Sequence, residues 1–191
     1  METNDDRYSK LQNRIQEIIK NFAFKYNPIK KPTSRQQDLI RAMILLCHAE
    51  FEDYLEETAY LLLKTGEERW DKDKIANKNI AALFLEHDKI DTSETYITKS
   101  KQAINDYRKS LKANNGIKNK DISKIFKPLG YKIDDDFEQT FLNDLEALGS
   151  HRGEIAHSSS SKKAKTLLDY NDEKNKIERI LNEIKDFEDS L

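Results

Sequence analysis

Apolar residues recur along this chain at three- and four-residue steps, the spacing of one face of an α-helix. Leu11, Ile15, Ile18, Ile19 and Phe22 define a first helix over residues 5–26. Asn27-Pro28 and Lys31-Pro32 then break the chain. Thr33 or Ser34 serves as N-cap for a second helix reaching Lys64, with Leu39, Met43, Leu46, Cys47, Tyr54, Ala59 and Leu62 as its apolar positions and Gly66 as its stop. Residues 70–87 read as one or two shorter helices around Ile75, Ile80, Leu83 and Phe84. A helix capped by Thr92 or Ser93 runs to Ala113, and Asn114-Asn115-Gly116 turns the chain. A short helical stretch, 121–126, is stopped by Pro128 and Gly130. Phe137, Phe141, Leu145 and Leu148 line a helix over 134–148, and Ile177, Ile180, Leu181, Ile184 and Phe187 line a last one over 171–191. Strand-like alternation never lasts more than a few residues. The pattern predicts an all-α protein, an antiparallel helical bundle in a single domain over residues 1–191.

Composition narrows this further. The 191 residues suffice for one domain with a real core. The single cysteine, Cys47, excludes an internal disulfide and a cysteine-based metal cluster; its apolar neighbours make it a small core residue. No run approaches the roughly 18 apolar residues of a membrane span, and the acidic start Met-Glu-Thr-Asn-Asp-Asp has no apolar signal region. A cytoplasmic protein with no membrane partner is expected. Net charge is only −2, yet residues 97–132 hold ten Lys and Arg against two Asp, a local +8. Lys118, Lys120, Lys124 and Lys127 within it are candidate phosphate contacts; the plainer reading is a solvated lysine-rich helix pair.

The chemistry concentrates in His151-Arg152-Gly153-Glu154-Ile155-Ala156-His157, which follows the apolar stripe of one helix and precedes Ser158–Ser161. Arg152 and His157 bracket four residues. Histidine moves protons near neutral pH, and arginine stays charged and holds a phosphate through paired hydrogen bonds. Together they can cut a phosphodiester without a metal. Five residues along a helix turn through about 500°, a net offset of about 140°. The two side chains therefore converge only if the backbone departs from a regular helix, which Gly149 and Gly153 permit, or if a second copy supplies the partner group. Glu50, among Met43, Cys47 and Tyr54, is a carboxylate that either finds a buried partner or lines an interface, and it is a candidate to orient Arg152 or His157. His151 and His48 are weaker candidates, and His87 looks like a helix end. No His-Glu-x-x-His, Cys/His cluster, Asp-x-Asp loop, glycine-rich phosphate loop or Gly-x-Ser-x-Gly is present, so no resident metal or cofactor is expected.

The long apolar helix ending in Ala49-Glu50-Phe51-Glu52-Asp53-Tyr54-Leu55, followed by Leu145-x-x-Leu148 leading into Arg152-Gly-Glu-Ile-Ala-His157, resembles the HEPN superfamily, and within it the RiboL-PSP and MAE-type nuclease-like branch. The resemblance spans residues 8–190. It implies a helical bundle with an additional C-terminal helix, dimerisation through the motif helices and metal-independent cleavage of RNA in a toxin–antitoxin or phage-defence setting, with a cognate antitoxin or defence-system protein as a further partner. It assigns Arg152 and His157 to catalysis, and Glu50 more loosely. A non-catalytic HEPN module that dimerises and binds a protein partner or nucleotide is the alternative. Gly153 departs from the pattern, because many members carry Asn or another polar residue directly after the Arg. Ser159 stands where toxins controlled by nucleotidylation carry Tyr.

Overall fold

The computed structural model describes residues 4–25, 27, 29–86, 96–157 and 167–189. His87 and Ser158–Ser161 lie outside them. Among the described residues there are eight α-helices, one 3-10 turn and no strand: α1 (Asn4–Asn21), α2 (Ser34–Asp73), α3 (Lys78–Glu86), α4 (Tyr96–Lys112), α5 (Asn119–Phe126), the turn Lys127–Leu129, α6 (Ile133–Asp136), α7 (Gln139–His157) and α8 (Tyr170–Asp189). The all-α reading holds.

Two compact units emerge, one formed by Met1–Glu52 with Glu138–Leu191 and the other by Asp53–Phe137. In the first, α2 buries Ile40, Met43, Ile44, Cys47 and Phe51, one helical stripe. Leu46 falls off that stripe and is 38% exposed. Cys47 is fully buried, and burial pushes its thiol up to about 12, so it is an inert packing residue. His48 is also buried, with Nδ1 3.6 Å from Glu52 Oε2. Helix α8 runs antiparallel to α7: Asp144 meets Arg179 and, two turns on, His151 meets Glu173. Asp169 caps α8, accepting the N–H groups of Asn171 and Asp172 at 2.9 and 3.1 Å. Just before it, buried Gln37 exchanges two hydrogen bonds with the backbone of Leu168, 2.6 and 3.1 Å. These contacts fix where the chain re-enters the bundle after the motif.

The second unit corrects one boundary. Gly66 does not end α2, which continues to Asp73 and stops where Lys74 takes φ 57. Gly66 serves packing instead: a Cβ there would meet Asn77 Oδ1 and Ile80 Cγ1, each at 2.6 Å. Asn77 Oδ1 accepts the Ile80 N–H at 3.0 Å and caps α3, so the glycine lets the start of α3 lie directly against α2. The helix expected over 134–148 is two elements. Phe137 is extended (φ −128, ψ 135) and buried, its ring 5.4 Å from that of Phe126. Burying that ring interrupts the helix between α6 and α7.

Candidate functional site

Helix α7 carries Arg152 and His157 on its last turns. Its buried face comprises Phe141, Leu145, Leu148 and Gly149, with Asp144 beside them. Arg152 follows Leu145 by seven residues and Leu148 by four, so it continues the core stripe one turn further. There the core runs out. Arg152, Gly153, Glu154 and Ile155 are half-buried, and Ala156 and His157 are exposed. Arg152 and His157 have no hydrogen-bond or ion-pair partner among the described residues. An arginine at the end of an apolar stripe without a counter-ion is available to an anion.

The helix is unbroken through the motif and ends at His157, and Gly130 is the only glycine with positive φ among the described residues. The backbone freedom that Gly149 and Gly153 allow is therefore not used. Of the two routes to convergence, a local departure from the helix is the one the structure does not take. Gly153 is also not a packing necessity: a Cβ there would meet nothing within 4 Å. A mid-helix glycine costs about 1 kcal/mol relative to alanine, and no close approach among the described residues requires one here.

Glu50 is paired within the chain. Its carboxylate accepts from Arg14 Nε at 3.0 Å, and Arg14 also reaches Glu17 at 2.9 Å. Arg14 and Glu50 are both partly open to water, 44% and 32% by side chain, so this is a modest surface pair between α1 and α2. Glu50 touches neither Arg152 nor His157 among the contacts of the described residues.

What holds the motif is ionic and was missed in the sequence. Asp144 accepts two hydrogen bonds from Arg179, at 2.7 and 2.9 Å. Directly before Arg152, His151 Nδ1 lies 3.2 Å from Glu173 Oε1, close enough for an ion pair but off the line of a hydrogen bond. Lys176 Nζ donates to both Glu173 oxygens at 3.0 and 3.2 Å. Burial would raise the Glu173 carboxyl, but His151 and Lys176 outweigh it and hold the group below the usual carboxylate range. Asp144 and His151 are seven apart on α7, and Glu173, Lys176 and Arg179 are three apart on α8. That matched spacing was the signal, visible only by tracing charged stripes as closely as apolar ones.

The lysines occupy the other unit. Lys120, Lys124 and Lys127 are exposed, spaced four and three apart, opposite buried Ile122, Ile125 and Phe126. Lys118 is half-buried, and its N–H donates to Asp121 at 3.2 Å, capping α5. Lys124 Nζ also donates to Ala113 O at 3.3 Å. Among the described residues no group of three or more His, Cys, Asp or Glu could hold a metal ion, and no helix is long and apolar enough to cross a membrane.

A family model described as RiboL-PSP-HEPN matches residues 9–190, both units and the whole of α7 included. The chain belongs to the RiboL-PSP-HEPN family. The match covers nearly the full sequence, so the HEPN-type all-α fold applies to both units. No curated protein and no solved structure matches the chain. In this HEPN domain the Arg152–His157 run is therefore read on the chain's own geometry: a half-buried arginine and an exposed histidine, neither paired among the described residues, on the last turns of a helix whose other face is clamped to α8.

Proposed function

We propose that this chain is a metal-independent endoribonuclease acting through Arg152 and His157, as a homodimer, in a toxin or phage-defence role. The observation that carries the reading is the state of those two residues. Arg152 is half-buried and His157 exposed near the end of α7, and both are unpaired among the described residues, while the charged residues beside them are engaged. An RNA 2′-oxygen attacks the neighbouring phosphorus. The bond to O2′ forms as the bond to O5′ breaks, leaving a 2′,3′-cyclic phosphate and a 5′-hydroxyl. His157 takes or gives the proton, a contribution of roughly 10²–10⁴-fold. Arg152 holds the charge that grows on the phosphate oxygens. DNA lacks the attacking hydroxyl.

Because α7 stays helical, Arg152 and His157 of one chain project about 140° apart around its axis. Two α7 ends brought face to face in a dimer would surround one phosphate with the arginine and the histidine of each copy. The Lys120–Lys124–Lys127 face offers contacts to the RNA backbone. Gly153, lacking the polar side chain common after the motif arginine, favours the alternative of a binding module.

The test is His157→Ala. We predict a protein with the wild-type circular dichroism spectrum and melting temperature that leaves RNA intact. Retained cleavage by the folded variant would remove His157 from the mechanism.

A further inference from the structure

Helix α2 carries a second apolar stripe, on the side away from its buried one. At about 100° per residue, Ile40, Met43, Ile44, Cys47 and Phe51 gather on one side of the axis, and all are fully buried. Leu39, Ala42, Leu46 and Ala49 centre roughly 180° from them. Their steps of three, four and three residues are those of a helix–helix seam. The chain buries none of the four: Leu39 and Ala42 are half-buried, Leu46 and Ala49 exposed. One step beyond each end stands a charge, Arg35 four residues before Leu39 and Asp53 four residues after Ala49. Both are exposed, and neither has a hydrogen-bond or ion-pair partner among the described residues.

This stripe complements its own reverse. When a second α2 is laid antiparallel across it, with the two-fold axis level with Ile44, Leu39 falls opposite Ala49 of the second copy and Ala42 opposite Leu46. Arg35 falls opposite Asp53. Every apolar layer then sets a large side chain against a small one, which fills the seam and brings the axes to the short end of the usual separation of about 8–10 Å. Both ends pair opposite charges. A parallel alignment does neither, because each residue meets itself: the alanine layers leave gaps, and Arg35 faces Arg35. The acids beside the antiparallel seam, Asp38 and Glu50, already hold counter-ions on their own chain, Arg41 and Arg14, each at 3.0 Å.

We propose that this face of α2 is an antiparallel, two-fold symmetric seam between two copies of the chain. It goes beyond the ribonuclease reading and does not depend on it: α7 carries the proposed chemistry, and α2 holds the copies together.

The experiment is sedimentation equilibrium of the full chain, without RNA, over a range of concentrations. It compares wild type, Leu46→Lys, Arg35→Asp, Asp53→Arg and the double variant Arg35→Asp/Asp53→Arg. All replace residues open to water, so far-ultraviolet circular dichroism should match wild type. Wild type should be a dimer. Leu46→Lys should raise its dissociation constant roughly a hundredfold, because the two-fold places both copies of the residue in the seam. Each single charge change sets like charges at both ends and should raise it about tenfold. The double variant inverts both pairs and should return to wild-type association.

A wild type that stays monomeric, a dimer indifferent to Leu46→Lys, or a double variant no tighter than the singles would overturn the proposal. So would association only when a different protein is added, since the stripe would then serve that partner. Cleavage is not a readout, so the seam and the ribonuclease reading fail separately.

Discussion

The two arginines on α7 and α8, Arg152 and Arg179, have sharply different surroundings. Arg152 ends an apolar stripe with no counter-ion among the described residues, whereas Arg179 is held by Asp144 through two hydrogen bonds. The contrast leaves one arginine without a counter-ion among the described residues and makes the other structural. Lys120, Lys124 and Lys127 share an exposed face and should act as backbone contacts. Their replacement by Glu should weaken RNA binding most at low salt. The dependence of log affinity on log salt should flatten by roughly 2, about 0.7 for each phosphate no longer neutralised on a single strand. An unchanged slope would make the face a solvated surface only. Cys47 was legible as a core residue from its apolar neighbours. The pairing of Glu50 was open in the sequence because a carboxylate near an apolar stripe does not reveal its partner: Arg14 lies 36 residues away on another helix.

Among the elements, helix existence was readable and boundaries were not. Gly66 looked like a stop because glycine commonly ends helices, but here its missing side chain admits Asn77 and Ile80. Gly66→Ala should therefore destabilise the protein, by about 1–2 kcal/mol through the displaced Asn77 cap, despite the better helix former. Thermal or urea unfolding measures the sign, and a stabilised variant would refute the packing role. The two-part character of 133–157 was hidden for a similar reason: the burial of Phe137 against Phe126 depends on tertiary structure, and no local propensity announces it. The α7–α8 seam has its own pH signature. Glu173 releases its proton more readily folded than unfolded, so it stabilises the fold above the usual carboxylate range and loses that contribution as pH falls through its lowered value. Glu173→Gln should cost roughly 1–2 kcal/mol at neutral pH, with the gap from wild type closing in acid below about pH 4. A gap independent of pH would mean that the carboxylate charge does not hold the seam.

For the whole molecule, the all-α fold and the family followed from helical periodicity together with one short motif, since both survive without knowledge of tertiary contacts. The two compact units did not, because α2 reads as one continuous helix although its first part belongs to one unit and its second part to the other. The proposed dimer is the link between the fold and the proposed chemistry. If facing α7 ends form one composite cleft, mixing Arg152→Ala with His157→Ala should restore part of the cleavage that each lacks alone, because a mixed dimer still places one arginine and one histidine around the phosphate. No recovery on subunit exchange would mean that the second copy's groups take no part. The central claim is tested most directly by incubating the purified protein with labelled RNA and the matching DNA in EDTA, beside the Arg152→Ala/His157→Ala variant. Cleavage of RNA by wild type alone, with 2′,3′-cyclic phosphate ends and DNA untouched, is the predicted result. Intact RNA after incubation with a well-folded wild-type dimer, or equal cutting by the double variant, would contradict it.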